Sequence, residues 1–433
     1  MATDASNDIK SEGKYTLLSA TMSAPGGRVL NLTGQLAAAD IYESIMAQSI
    51  IGVFQLYDAV GMFSTFVFEE QEFCLAWSTN DTGKEIHYRF KLLGGNPAAQ
   101  TLSQGKGAVY TITGISPEAY NSAKMKDFQE KFPAVTKKIE PYALVTLCLE
   151  KALETQKPKY YEKTKGLHTF NFTKVTPFEA IEKARQEAIS SSHESSSYVF
   201  FENKHGYHFK TIEALIEEGK KRIGDKVFFN VPGGGVDTTG GSLWRNIIAY
   251  KIVQLGNQAA LAATGGAKIT VRFQDIQNLN NIVEKTVSLD DFDFKKLNKD
   301  PETLSPKALE ENKKQPPNIK QYYFDSKDEE NDMIDKKAAL ACYMSGFLSV
   351  INHITIYGDT EITAGDVITV HINDPVGTTD TVEEATGISG NFLVTKVRHC
   401  LTFGETPQYY QALEIVKDSM NSQTEPVRMA TVK

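Results

Sequence analysis

Glu85-Ile86-His87-Tyr88-Arg89-Phe90-Lys91-Leu92 alternates without a break. Ile86, Tyr88, Phe90 and Leu92 share one face and His87, Arg89 and Lys91 the other, the period-two pattern of a strand with one dry and one wet side. Around it, residues 14–116 read as short apolar runs separated by Pro25-Gly26-Gly27, Asn80-Asp81-Thr82-Gly83 and Gly94-Gly95-Asn96-Pro97, which predicts an all-β unit. The same grammar returns near the end of the chain. Residues 353–357, 366–373, 392–402 and 409–417 are predicted strands, linked by Gly358-Asp359, Ala364-Gly365, Gly387 to Gly390 and Gly404.

The text between these two β regions is different, with longer runs rich in Lys, Glu and Ala at 141–155 and 177–190. Thr176 before Pro177 is an N-cap followed by proline at the first helical position, and Phe178, Ile181, Ala184 and Ala188 keep helical spacing behind it. Tyr198-Val199-Phe200-Phe201, a turn at 203–206 and Tyr207-His208-Phe209 predict a hairpin, then a helix over 211–218 that Gly219 ends. The aromatic cluster Tyr198, Phe200, Phe201, Tyr207 and Phe209 reads as hairpin core rather than as a partner-binding face. Past the glycine-rich loop at 233–241, strands are predicted at 244–254 and 268–273. From 274 to 336 apolar residues thin out and charges crowd in (Asp290, Asp291, Asp293, Lys295, Lys296, Asp328, Glu329, Glu330) around Pro316-Pro317. That predicts a charged, exposed insertion, followed by a helix over 334–344. The expected fold class is β-rich α+β and multidomain, with two β units, distant duplicates of one another, flanking a mixed α/β domain.

Composition narrows the function. With 433 residues the chain has room for about three domains. Its 41% hydrophobic and 23% charged residues are those of a folded chain. A net charge of −8 and the lack of a basic stripe argue against a surface that grips nucleic acid. The four cysteines, Cys74, Cys148, Cys342 and Cys400, are scattered, so they read as reduced thiols rather than as a zinc module or a disulfide scaffold. The N-terminus carries no apolar signal core, which predicts a protein that stays in the cytoplasm where it is made. The apolar stretch 49–68 is broken by Gly52, Asp58 and Gly61 and reads as strand, turn, strand instead of a membrane span.

No catalytic motif emerges. The Gly-Lys pairs at Gly13, Gly83, Gly105 and Gly219 lack the rest of a P-loop, and 233–241 does not open a dinucleotide-binding unit. His205 and His208 lack metal-motif spacing, and neighbours His399 and Cys400 point to opposite faces of a strand, so they form no nucleophile and base pair. No GxSxG elbow occurs, and acidic pairs such as Glu69-Glu70 read as solvated surface. The expectation is therefore a structural protein, not an enzyme, with no cofactor and no metal.

Arrangement points further. Asp40-Ile41-Tyr42-Glu43-Ser44-Ile45, Gly52-Val53-Phe54-Gln55-Leu56-Tyr57-Asp58 and Phe68-Glu69-Glu70-Gln71-Glu72-Phe73 resemble the first domain of the central hub protein of contractile phage-tail baseplates. YVFFENKHGYHFKTIEAL from Tyr198 to Leu215 resembles the hairpin and helix after the hub's second domain. Gly358-Asp359, Ala364-Gly365-Asp366-Val367-Ile368, Gly390 to His399 and Tyr410 to Val416 are similar to the closing barrel of hub and type VI spike proteins. The resemblance covers about half of the chain. It implies two related, tube-forming β-barrel domains at 14–115 and at 221–273 with 346–418. A mixed α/β domain occupies 116–220, a charged subdomain is inserted at 274–345, and 1–13 and 419–433 are tails; the long insertion departs from the family's plan. By the same resemblance three chains form a pseudo-sixfold ring that joins a hexameric tail tube protein to a trimeric central spike protein, beside baseplate wedge proteins. DNA passes through the lumen without specific binding. Ile41, Tyr42, Glu43, Ile45, His353, Thr355, Tyr357 and Asp359 are the expected interface residues. Such a protein resides in the virion's tail baseplate after assembly in the host cytoplasm. The alternatives weighed are a tail-associated peptidoglycan hydrolase, a monomeric binding protein and the hub of a type VI-like injection machine.

Overall fold

A computed structural model describes residues 13–23, 27–59, 61, 63, 70–79, 84–93, 98–101, 107–132, 138–170, 172, 174–193, 195–224, 226–230, 245–255, 268–275, 277–288, 297, 318–324, 340, 350–372, 388–404 and 406–417. The expected turns at 80–83 and 94–97, the loop at 233–241, the strand after the 58–61 turn, the C-terminal tail and Cys342 lie outside the described residues, as does nearly all of the helix at 334–344.

Among the described residues eight strands form the first β unit: β1 (Tyr15–Ser23), β2 (Val29–Asn31), β3 (Leu36–Ser44), β4 (Ile51–Asp58), β5 (Glu72–Thr79), β6 (Glu85–Leu92), β7 (Ala98–Thr101) and β8 (Ala108–Ile115). In β6 the predicted alternation holds: Ile86, Tyr88, Phe90 and Leu92 are buried, while His87 and Arg89 are exposed. Phe54, Phe73, Trp77 and Phe90 anchor the core under these strands.

The middle of the chain supplies α1 (Pro117–Lys124), α2 (Phe128–Lys131), α3 (Pro141–Leu147), β9 (Lys159–Tyr161), α4 (Pro177–Glu187), β10 (Tyr198–Asn203), β11 (Gly206–Thr211) and α5 (Ile212–Lys221). α3 runs on into a π turn over Cys148–Ala152. α4 begins as its sequence dictates: the Thr176 side chain accepts from the Glu179 amide and the Glu179 carboxylate from the Thr176 amide, with Pro177 in the first turn. β10 and β11 form the predicted hairpin, with Asn203 opposite Gly206, and the parallel strand β9 completes a three-stranded sheet. The hairpin's aromatic residues are buried on both faces, Phe200 and Tyr207 toward the mixed core and Phe201 toward the C-terminal one. One expectation fails here. Gly219 does not end α5, which continues to Lys221; the helix passes the strand that begins at Val367 so closely that a Cβ at 219 would lie 2.4 Å from Val367 Cγ2. The glycine serves a close approach, not a stop.

The remaining strands are β12 (Val227–Asn230), β13 (Ile247–Leu255), β14 (Lys268–Asp275), β15 (Ile282–Ser288), β16 (Asn318–Phe324), β17 (Val350–Tyr357), β18 (Val367–Ile372), β19 (Gly390–Thr402) and β20 (Gln408–Lys417). β14, expected with the second β unit, instead pairs with β15 and β16 in a separate three-stranded sheet, the described part of the insertion. The two β regions share one 14-stranded sheet, ordered β13-β17-β20-β19-β3-β4-β8-β6-β5-β1-β2, with β18, β12 and β7 attached off that path. Their seam is the antiparallel pairing of β19 with β3, from Lys396 opposite Ser44 to Thr402 opposite Ala38. The cores interlock across it. Leu401 and Tyr409 pack in the first β core, while Ile45 packs in the C-terminal core with Ile354, Val367, Phe392 and Leu413.

Candidate interaction face and the buried junction behind it

Register decides which side chains share the outer side of the seam. Strand pairing puts Thr355, Ala412, Arg398, Tyr42 and Ile51 in one row across β17, β20, β19, β3 and β4. The flanking rows are His353, Glu414, Lys396 and Ser44 on one side and Tyr357, Tyr410, Cys400, Asp40 and Val53 on the other. All of these positions are exposed or half-buried. Of the eight expected interface residues, Tyr42, His353, Thr355 and Tyr357 thus come together on one face from segments some three hundred residues apart. The side chains of Ile41, Glu43, Ile45 and Asp359 point inward and are buried. This is the parity rule of a strand: a contiguous stretch such as 41–45 cannot put all its side chains outside.

The face is charge-paired. Arg398 grips Asp40 through two bonds of 3.0 and 2.9 Å and lies over the Tyr42 ring. Lys396 Nζ is 2.8 Å from Glu414 Oε2, with His353 Nε2 3.5 Å from the same oxygen. Paired cations leave little free positive charge to hold phosphates.

Behind the face lies a buried polar junction centred on Glu43, which is 1% exposed. Its Oε1 accepts from Tyr88 Oη at 2.6 Å and from the Lys204 amide at 2.8 Å; its Oε2 accepts from Thr363 Oγ1 and from the Ala364 amide at 3.0 Å. Burial alone would raise this carboxyl, but His399 at 3.8 Å and the donors Thr363 and Tyr88 win and hold it at about 2. One carboxylate thus ties together β3, β6, the β10–β11 turn and the loop before β18. Alongside it, Tyr409 Oη lies 2.8 Å from His399 Nδ1, Gln411 Oε1 accepts from the Asp359 amide at 2.9 Å, and Asp359 pairs with buried Arg245 at 2.9 Å. His399 is buried and Cys400 faces out, so the two do point to opposite sides.

A second cluster joins the mixed region to the first β unit. Lys157 Nζ bridges Glu118 at 2.7 Å and Glu202 at 2.5 Å, and Glu202 Oε2 also accepts from the Ile50 amide and Tyr207 Oη. Burial, with Glu118 alongside, pushes the Glu202 carboxyl up against the pull of Lys157. A small cleft of about 100 Å³ opens here, lined by His87, Arg89, Lys157, Glu202, Lys204 and His205 among others. Burial lowers the Lys204 ammonium to about 8. His205 and His208 do not act together as ligands: His208 stacks on Phe201 and Tyr160 and bonds Asn203. Among the described residues no group of three or more His, Cys, Asp or Glu is placed to hold a metal ion, and no helix is long and apolar enough to cross a membrane. Sequence reasoning missed Glu202, Lys204 and the Asp40–Arg398 pair, since isolated charges in a strand or turn carry no local signal.

No protein-family model and no curated protein matches the sequence. Solved structures do share the fold. The chain is similar to a tail protein from Neisseria meningitidis MC58, at 9% identity with a TM-score of 0.54, covering 94% of this chain and 97% of that one. It is similar also to the 43 kDa tail protein of prophage MuSo2 from Shewanella oneidensis, at 9% identity with a TM-score of 0.55, covering 94% of this chain and 100% of the other.

Proposed function

We propose, from a fold shared almost end to end with two tail proteins, that this chain is the structural hub of a contractile tail baseplate. In this reading it is a non-enzymatic homotrimer whose ring joins a hexameric tail tube to a trimeric central spike, with wedge proteins around it and a lumen that passes DNA. It resides in the virion after assembly in the host cytoplasm. The observation that carries the reading is the β19–β3 seam, which sets the first and last β units of one chain side by side in a single sheet. If each unit is one tube-type barrel, three chains present six barrels, and a threefold ring meets a sixfold tube without a symmetry clash. The barrels then span 14–115 and the two stretches 221–267 and 346–418, with the mixed domain at 116–220 and the insertion, β14 included, at 268–345. Tyr42, His353, Thr355 and Tyr357 lie on the face assigned to the tube junction. Three chains of −8 each, with the cations of that face already paired, suit a channel along which DNA slides.

Negative-stain electron microscopy of the purified chain, alone and with its tube and spike neighbours, tests this. End-on views with a central opening and six lobes are expected, and Tyr42→Asp should abolish joining to the tube while leaving the ring. Single compact particles under every condition would overturn the proposal.

A further inference from the structure

His193 lies between α4 and β10, and each of its ring nitrogens faces a carboxylate. Nδ1 is 2.7 Å from Glu162 Oε1 and Nε2 is 3.2 Å from Glu217 Oε2. A neutral imidazole has one N–H and one lone pair, so both contacts are attractive only when both nitrogens are protonated. The surroundings fix this geometry. Glu162 Oε2 accepts from the Thr211 amide and hydroxyl, both at 2.7 Å, and Oε1 accepts from Ser190 Oγ as well as facing the ring. α5 adds Glu213, held by Ser195 and Ser197, and Glu217, which also takes Lys221 Nζ at 2.9 Å. Three carboxylates and one competing ammonium therefore surround an imidazole whose side chain is 14% exposed. Burial would lower its pKa, but the bonds from Glu162 and Glu217 and the charge of Glu213 outweigh burial and raise it.

We propose that His193 is a proton-operated clamp: as imidazolium it ties the 190–193 turn both to the segment after β9 and to α5, and loss of one proton releases one tie. The turn's own bonds do not involve the ring. Among them are the amides of Ser192 and His193 to Ser190 Oγ and the Ser191 amide to Lys163 O. Because α5 packs against β18, the clamp couples the link between α4 and β10 to the C-terminal β unit. A raised pKa in the folded state means that the contribution is complete below the free imidazole value of 6.5 and is lost as pH rises through the folded value.

The test uses the full chain. Ring nitrogen NMR should show His193 doubly protonated at pH 6.5, and Glu217→Gln should lower its titration midpoint. Hydrogen exchange of the peptide over 186–198, corrected for intrinsic rates, should rise as pH passes through that midpoint. In His193→Gln the step should vanish with the remaining protection pattern unchanged. A midpoint at or below the free value, a midpoint indifferent to Glu217→Gln, or a step that survives His193→Gln would overturn the proposal.

Discussion

Replacing Glu43 by Gln changes one oxygen into an amide nitrogen at the point where four donors converge. Whichever way the amide turns, its NH2 meets one hydroxyl and one backbone N–H: Tyr88 and Lys204 on one side, Thr363 and Ala364 on the other. The hydroxyl can rotate away, whereas the backbone donor stays. Losing two bonds to a charged acceptor costs about 3–6 kcal/mol. The carboxyl itself supplies a second route to the number. Held at about 2 instead of 4.5, it contributes about 3 kcal/mol at pH 7, at 1.36 kcal/mol per pH unit. Because the folded value is depressed, this stability is complete above pH 4.5 and fades as pH falls toward 2. Glu202 and Glu213 are pushed up by burial and act in the opposite sense, so variant and wild type must be compared at each pH. Trp77 reports directly: it packs against Tyr88, His399 and Tyr409, and Trp244→Phe leaves it the only tryptophan. Guanidinium unfolding followed by Trp77 fluorescence should show Glu43→Gln about 3 kcal/mol less stable at pH 7, with the gap mostly closed at pH 2. A gap that stays constant from pH 7 to 3 would refute the claim that the ionised carboxylate holds the junction.

Asn352 is buried on the inner face of β17, and neither its amide nitrogen nor its oxygen has a hydrogen-bond partner. Asn352→Leu should therefore raise the denaturation midpoint by the equivalent of about 1–3 kcal/mol, and a lowered midpoint would show that the amide is in use. Gly219→Ala pits a helix gain of about 1 kcal/mol against a Cβ placed 2.4 Å from Val367 Cγ2. The clash should win, with a net loss of about 1–2 kcal/mol in chemical unfolding. Thr176→Ala removes one half of the α4 capping box and should cost about 1 kcal/mol by the same assay, with Thr176→Ser restoring most of it.

How much of this was legible beforehand follows from which signals are local. Strand alternation in β6, the Thr176-Pro177 helix start and the 203–206 hairpin turn are encoded within a few residues, and the structure has them. The end of α5 was misread because the role of Gly219 is set by Val367, nearly 150 residues away. Of the expected interface set, the structure brings Tyr42, His353, Thr355 and Tyr357 onto one face, whereas Ile41, Glu43, Ile45 and Asp359 are buried, because strand parity cannot be applied without knowing which side is dry. Glu43 was legible as a charge in a strand, not as the centre of a junction, because its donors come from positions 88, 204, 363 and 364.

The seam between β3 and β19 also has a temporal meaning. β3 leaves the ribosome about 350 residues before the strand that will cover its outer edge. At roughly 5–20 residues per second that edge waits on the order of half a minute with its amides and carbonyls unpaired, next to exposed Tyr42. Folding of the first β unit is therefore provisional until β19 has been made, and chains stopped before 390 should aggregate through β3 where chains that carry β19 do not, a difference that sedimentation of the two products would register. Late closure of this kind makes β19 a quality check: only a chain that has reached it hides the edge on which a shorter one would nucleate.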